Sequence, residues 1–396
     1  MKVLVINAGS STLKFQLIDT VSEETLGSGA IERIGEHASF ARFKSPKGSD
    51  KRELPIPDHN LATEIALDYI TNKEIGVLNT LDEIDAVGHR VVNAGPEYDH
   101  TVLITDKVLA DFKENVHYAP LHMPGHIKGI SACLKVMPNT PQTAIFDTAF
   151  HSTMPEKAFL YAIPYELYSE HQIRRYGFHG SSHQFIRDEV ARILGSVEGK
   201  KIVSCHIGSG ASVCAIKDGK SVDTSMGYTP LEGVIMGTRS GDLDASIIPQ
   251  IMKIEGITDV DQAIDYLNKK CGLLGITGYT NDMRDIEANL DKYRENLAMD
   301  MHAYRIAKYV GGYAAAMGGI DVLVFTAGAG ENTAELRKRV CQYLEFMGVK
   351  MNYEYNETMP RGTVEDISMP DSKVKVYRIP TNEELVIARE TAKVVK

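Results

Sequence analysis

Cysteine is scarce and cannot pair off: Cys133, Cys205, Cys214, Cys271 and Cys341 are the only five in 396 residues, and no CxxC occurs. The sequence therefore offers neither a disulfide framework nor a zinc ribbon, and the thiols are expected to be reduced and to pack as small hydrophobes. Long apolar runs are also missing. None approaches the roughly 18–20 residues that span a bilayer. The apolar stretch at the N-terminus is too short for a signal peptide and no cleavage-like site follows, so a cytoplasmic protein without membrane contact is expected. Net charge is −10 and no concentrated Lys/Arg block relieves it, which argues against nucleic acid as a partner. The opening glycine turn matches neither GxxxxGK[ST] nor GxGxxG, which removes a Walker A loop and a dinucleotide fingerprint.

What is present reads as a large globular α/β protein, 43% hydrophobic and 24% charged, long enough for two domains. Strands are predicted at Val3–Ile6, Phe15–Ile18, Ala86–Val92, Thr143–Phe146, Lys201–His206 and Asp321–Thr326. Helices are predicted over Thr105–Val116, Gly125–Val136 and Asp300–Met317, with Pro120 and Pro124 bracketing a loop. A further helix follows from Ser182, because Phe185, Ile186, Val190, Ile193 and Leu194 form an apolar stripe that Ser181 or Ser182 can cap. Thr381 or Asn382 caps a last helix running through Lys393.

One stretch echoes another. VLVINAGSSTLKFQLID at Val3–Asp19 lies without a gap over IVSCHIGSGASVCAIKD at Ile202–Asp218, with Gly9 over Gly208 and Asp19 over Asp218. Two strand–turn–strand copies suggest duplicated domains; a chance likeness of two hairpins is the plainer alternative. Small residues in such turns let backbone amides converge on an anion, and Lys14 adds a charge. A bare hairpin bend explains Asn7–Lys14 equally well. The second turn, His206–Gly210, shares the logic. The third, Thr326–Asn332, reads as a loop between strand and helix whose amides could hold a nucleotide.

Other polar clusters sit in small-residue surroundings: GHRVV around Arg90, FDTAFH around Asp147, YGFHGSSH around His179 and MGTRSGDLD around Arg239. Taken singly, each also reads as a structural histidine or a surface ion pair. His179 and His183 have the spacing of a zinc helix, but Gly180 disfavours a helix start there and no Glu lies between them, so a metalloprotease is rejected.

Together with INAGSSTLKF, APLHMP, HIGSGAS, FTAGAGEN and PTNEE, these motifs stand in the order found in the acetate and butyrate kinase family. The chain resembles that family, within the sugar kinase, heat-shock 70 and actin superfamily, from Val3 to about Lys393. The resemblance implies an α/β fold of two duplicated actin-like ATPase (ribonuclease H-like) domains with a nucleotide cleft between them. Residues 1–148 plus 383–396 would form the acetate side and 149–382 the nucleotide side. It implies a homodimer that uses ATP/ADP and Mg²⁺, or Mn²⁺, to make acetyl phosphate and ADP reversibly from acetate, within acetyl-CoA biosynthesis.

Residue by residue, the resemblance implies that Asn7 and Glu383 associate with magnesium and that Lys14 lies near the phosphates. Arg90 would grip the acetate carboxylate, with Val92, Leu121, Phe178 and Pro230 around the methyl group. Asp147, His179 and Arg239 match the catalytic positions, the last two stabilising the transition state. The nucleotide stretches correspond to His206, Ile207, Gly208, Ser209 and Gly210; to Asp282, Met283 and Arg284; and to Gly328, Ala329, Gly330, Glu331 and Asn332. The chain departs from the family at Ser209, where Asn is usual, at Asn93-Ala94 in place of His-Gly, and at Ala245 in place of Pro. The implied nucleophile is a carboxylate with a pKa of roughly 4, already ionised at neutral pH, so no general base is required. A propionate or butyrate kinase of the same fold, and an actin-like or chaperone-like ATPase without a carboxylate acceptor, are the alternatives.

Overall fold

The computed structural model describes all 396 residues. The chain forms two compact units, Met1–Ala149 with Asn382–Lys396, and Phe150–Thr381.

In the first unit, eight strands make one sheet in the order β5-β4-β3-β2-β1-β6-β8-β7. They are β1 (Lys2–Ala8), β2 (Thr12–Asp19), β3 (Glu24–Glu32), β4 (Phe40–Ser45), β5 (Gly48–Glu53), β6 (Ala86–Val91), β7 (Val102–Leu103) and β8 (Gln142–Phe146). The first five form an antiparallel meander, while β6 runs parallel to β1 and β8 parallel to β6. Both faces of the central strands are covered, which is why β8 is buried at every position. Leu4, Ile6 and Ala8 share one core with Ala62, Ala66 and Cys133, from helices His59–Thr71 and Met123–Val136. The last helix, Glu383–Val395, packs on β1, β6 and β8. A Cβ at Gly88 of β6 would stand 2.4 Å from Thr391 Oγ1, so glycine there permits the close approach. Asn382 caps this helix through the Leu385 amide at 3.0 Å.

In the second unit, β9 (Lys201–Ile207), β10 (Ala211–Lys217), β11 (Lys220–Thr224), β12 (Val322–Thr326), β13 (Glu365–Asp366) and β14 (Lys375–Arg378) form a sheet. Its order is β11-β10-β9-β12-β14-β13, with β12 parallel to both β9 and β14. The 25-residue helix Tyr293–Met317 packs on β9 and β10.

The strand registers confirm and correct the sequence echo. Val3 stands opposite Ala86 as Ile202 stands opposite Val322, so β1 matches β9 without a gap. The second hairpin turn is one residue shorter: Ala8 pairs with Leu13, but Ile207 pairs with Ala211. By pairing, Asp19 therefore corresponds to Lys217, not to Asp218.

Several element boundaries also move. Pro124 lies in the first turn of a helix, where its missing N–H costs nothing. The long helix begins at Tyr293 and not at Asp300. The helix expected from Ser182 spans Gly180–Leu194, with His179 as its N-cap and no side-chain cap bond, so neither Ser181 nor Ser182 caps it. The stretch after β12 is not a loop: Ala327–Asn332 is itself helical. The strands β3 to β5 carry no chemical motif, and the sequence did not reveal them. Cys133, Cys205, Cys214 and Cys341 are buried, Cys271 is half-buried, and all five are free. No helix is long and apolar enough to cross a membrane.

Candidate active site

The first unit gathers its polar groups where the parallel strands β1, β6 and β8 end. Asn7 pairs directly with Lys14 across β1 and β2. Beside it, Arg90 Nη1 lies 3.5 Å from Asn7 Oδ1. Arg90 also grips Asp147, with Nε donating to Oδ1 at 2.9 Å and Nη2 to Oδ2 at 2.5 Å. The Asp147 amide donates to Val91 O at 3.0 Å, which fixes the carboxylate at the end of β8. Asp147 is buried and Arg90 half-buried, and the carboxylate raises the guanidinium pKa against the cost of burial. The side-on fork of Arg90 is thus already filled. A bidentate grip on a substrate carboxylate has only the end-on Nη1–Nη2 edge to use.

Glu383, at the first position of the last helix, completes this group. Burial among the surrounding chain pushes its carboxyl up to about 7, against the opposing pull of Arg90. Asn7 and Glu383 offer oxygen only, and no group of three or more His, Cys, Asp or Glu side chains is arranged to hold a metal ion. That donor set fits a hard cation that retains most of its waters, and fits no closed protein cage.

The first glycine turn is more self-contained than the anion-cradle reading requires. The Gly9 amide donates to Thr12 O at 2.8 Å, and the Gly9 carbonyl meets His59 Nε2 at 2.8 Å. A Cβ at Gly125 would come within 2.7 Å of Gly9 O, so the helix Met123–Val136 rests directly on the turn. Lys14 is exposed. Of the methyl-pocket positions in this unit, Val92 is buried at 5% exposure, whereas Leu121 is 64% exposed.

The second unit brings the three predicted nucleotide stretches together. Gly208, Ser209, Asp282, Met283, Arg284, Gly328, Ala329 and Asn332 line a single cavity of about 580 Å³. Asn281, Gly237 and Arg361 line it too; Gly237 belongs to MGTRSGDLD, Asn281 precedes Asp282, and Arg361 carried no sequence signal. His206, Ile207, Gly210, Gly330 and Glu331 do not line it. Ile207 is fully buried in the core, and Glu331 accepts the Thr381 amide at 3.2 Å. The Gly208 amide closes its own turn on Gly210 O at 3.1 Å, so here too a backbone donor is spent internally. Arg284 Nε holds Asp282 Oδ1 at 3.0 Å, and this contact with the guanidinium lowers the Asp282 carboxyl to about 2.

Beside this cavity, His179 and Arg239 converge. A Cβ on Gly210 would sit 3.5 Å from both His179 Nε2 and Arg239 Nη1. His179 has a left-handed backbone, φ 58°, which is rare for a residue with a side chain. Its ring stacks on His206 at 4.1 Å. The Phe178 carbonyl is held by His151 Nε2 at 2.9 Å.

Arg239 sits on a loop stitched to Cys271–Leu274, with Leu273 N donating to Met236 O at 2.9 Å and Cys271 N to Thr238 O at 3.1 Å. Gly272, at φ +62°, permits the approach: a Cβ there would stand 2.6 Å from Arg239 O. The Arg239 guanidinium donates to Pro230 O at 3.2 Å and meets no carboxylate, so burial alone lowers its pKa.

The Acetokinase family matches residues 2–389. An acetate kinase of Halothermothrix orenii is 49% identical over 400 residues, covering 100% of both chains. The crystal structure of Porphyromonas gingivalis acetate kinase superposes with a TM-score of 0.94 at 44% identity, covering 100% of each chain. That of a propionate kinase from Francisella tularensis superposes at 0.92, with 39% identity and 99% of each chain covered. The fold is accordingly the two-domain actin-like ATPase fold of these enzymes.

Proposed function

The chain belongs to the acetokinase family, and on that premise we propose that it transfers the γ-phosphoryl group of ATP reversibly to acetate, giving acetyl phosphate and ADP. The observation that carries this reading is the convergence of His179 and Arg239 beside a cavity lined by all three nucleotide stretches. An acetate oxygen attacks the γ-phosphorus as the bond to the ADP oxygen breaks, and no proton is moved. The difficulty is the approach of one anion to another, so cations and positioning carry the rate. Arg239 and His179 would meet the equatorial oxygens of the transferring group. Arg90 would orient the acetate carboxylate through its end-on edge, with Asp147 fixing the guanidinium. Asn7 and Glu383 would hold magnesium, and the ion, when bound, would supply charge neutralisation at the phosphate oxygens.

Acetate is preferred over longer acids because Val92 is β-branched and buried. Each added methylene is worth only about 1–3 kcal/mol, so propionate is a poorer substrate and is not excluded. We further propose a cytoplasmic homodimer, as the family resemblance implies.

Hydroxylamine trapping tests the proposal. Acyl hydroxamate should form with ATP, magnesium and acetate, more slowly with propionate, and least with butyrate. ATP hydrolysis without hydroxamate would assign the chain to the acceptor-free ATPases, and equal rates with butyrate would overturn the narrow pocket.

A further inference from the structure

Two histidines of the Phe150–Thr381 unit share one hydroxyl. Ser212 Oγ lies 2.9 Å from His179 Nδ1 and 2.8 Å from His183 Nε2. On the far side, His183 Nδ1 lies 2.9 Å from Ser204 Oγ. Ser204, His183 and Ser212 are all fully buried. A serine hydroxyl carries one proton, so Ser212 can donate to only one of the two rings and must accept from the other. The protonation patterns of His179 and His183 are therefore coupled through one oxygen. His183 is neutral, since burial and its histidine neighbours hold its pKa well below the usual value. It has one N–H to give.

Two arrangements are compatible with these three contacts. In one, Ser204 donates to His183 Nδ1, His183 Nε2–H donates to Ser212, and Ser212 donates to His179 Nδ1. His179 then carries its proton on Nε2. In the other every bond is reversed, and a neutral His179 carries no hydrogen on Nε2. That atom stands beside Arg239 Nη1 over Gly210, where a lone pair would repel a phosphoryl oxygen and an N–H would bind it.

We propose that Ser212, backed by His183 and Ser204, is a positioning residue that fixes His179 as the neutral Nε2–H tautomer, with that N–H directed at the transferring phosphoryl group. The proposal rests on the reading of His179 as a transition-state stabiliser. The remaining freedoms of the ring are already restricted. The left-handed backbone at φ 58° sets where the side chain leaves the chain, and the His206 ring at 4.1 Å sets its plane. Ser212 supplies what these two cannot, a hydroxyl whose single proton ties the hydrogen on His179 to the state of His183. Both supporting residues lie within quoted motifs, Ser212 at the end of HIGSGAS and His183 at the end of YGFHGSSH, and the function had used neither.

The test is two-bond ¹H–¹⁵N spectroscopy on the full-length protein labelled with [¹⁵N]histidine at neutral pH, with His179 assigned by the signals lost in His179→Gln. The expected spectrum shows a protonated Nε2 and an unprotonated Nδ1. A neutral Nδ1–H ring, or an imidazolium, overturns the proposal without reference to activity and without any substitution at Ser212. In Ser212→Ala, the His179 signals should move toward a mixture of tautomers. The kcat should fall by about 10- to 100-fold while the KM values for acetate and ATP stay within about threefold. A Ser212→Ala enzyme with wild-type kcat, alongside a His179→Gln enzyme that has lost it, also overturns the proposal. If His179→Gln itself keeps wild-type kcat, the role given to His179 fails, and the tautomer spectrum still decides what Ser212 does.

Discussion

The two sheets place different chemistry in the same transverse row. In the first unit, the row across β2, β1 and β6 reads Lys14, Asn7, Arg90, with Asp147 just beyond β8. By strand register, the corresponding residues of the second unit are Ser212, His206, Thr326 and Thr381. One copy carries a lysine and an arginine–aspartate pair; the other carries hydroxyls and an imidazole. A duplicated scaffold thus fixes where side chains emerge and leaves open what they do. The second unit draws its positive charge from outside the sheet, on the Arg239 loop that Gly272 lets close in. The two arginines differ accordingly. Arg90 is neutralised in place by Asp147, while Arg239 meets only neutral groups. The first suits holding and orienting a small anion, and the second suits meeting charge that develops in the transition state.

Removing Arg239 is the strongest way to break this contrast. Arg239→Ala should lower kcat by about 10³-fold, or roughly 4 kcal/mol, with little change in melting temperature because no buried carboxylate is left unpaired. Steady-state rates and thermal unfolding on one preparation check both halves. Arg90→Ala should behave in the opposite sense. It strands a buried Asp147, so a stability loss of about 3 kcal/mol is expected, together with a large rise in acetate KM. Adding Asp147→Asn should recover part of the stability and none of the affinity, as read by denaturant unfolding and acetate titration.

The third prediction concerns pH. The Glu383 carboxyl stands near 7 in the folded chain against an ordinary 4.5. Between those values the native state holds more protons than the unfolded chain, so this group makes stability fall as pH rises through that window. Glu383→Gln should therefore gain on the order of 2 kcal/mol over the wild type at pH 8 and almost nothing at pH 4.5. Magnesium should raise the melting temperature of the wild type at pH 8 and have a smaller effect on the variant, with chelation reversing it. The smallest effect belongs to the methyl pocket. Val92→Ala should raise the propionate-to-acetate ratio of kcat/KM by about tenfold, at a stability cost of about 1 kcal/mol, checked by parallel hydroxamate assays.

Much of this was legible in the sequence because many candidate residues of each unit stand at strand ends, where apolar runs break into small and charged residues. Asn7, Arg90 and Asp147 each follow or close such a run, and so do the Gly208 and Gly328 stretches. What escaped depended on pairing and packing. The shorter second hairpin, which matches Lys14 with Ser212, shows only in the ladder register. The occupied fork of Arg90 requires β6 and β8 to be neighbours. The helix opens at Gly180 after a left-handed His179, against the local preference that made Gly180 look unsuitable. The sequence also left β3 to β5 unread, since β5 is polar and buries no residue and none of the three carries a chemical motif.

The most direct test of the division between the units is the acetate dependence of acyl-phosphate formation, measured side by side in Arg90→Ala and Arg239→Ala. The account predicts that the first variant loses acetate affinity and the second loses turnover at an acetate KM close to that of the wild type. The same kinetic defect in both, or a wild-type acetate KM in Arg90→Ala, would contradict it.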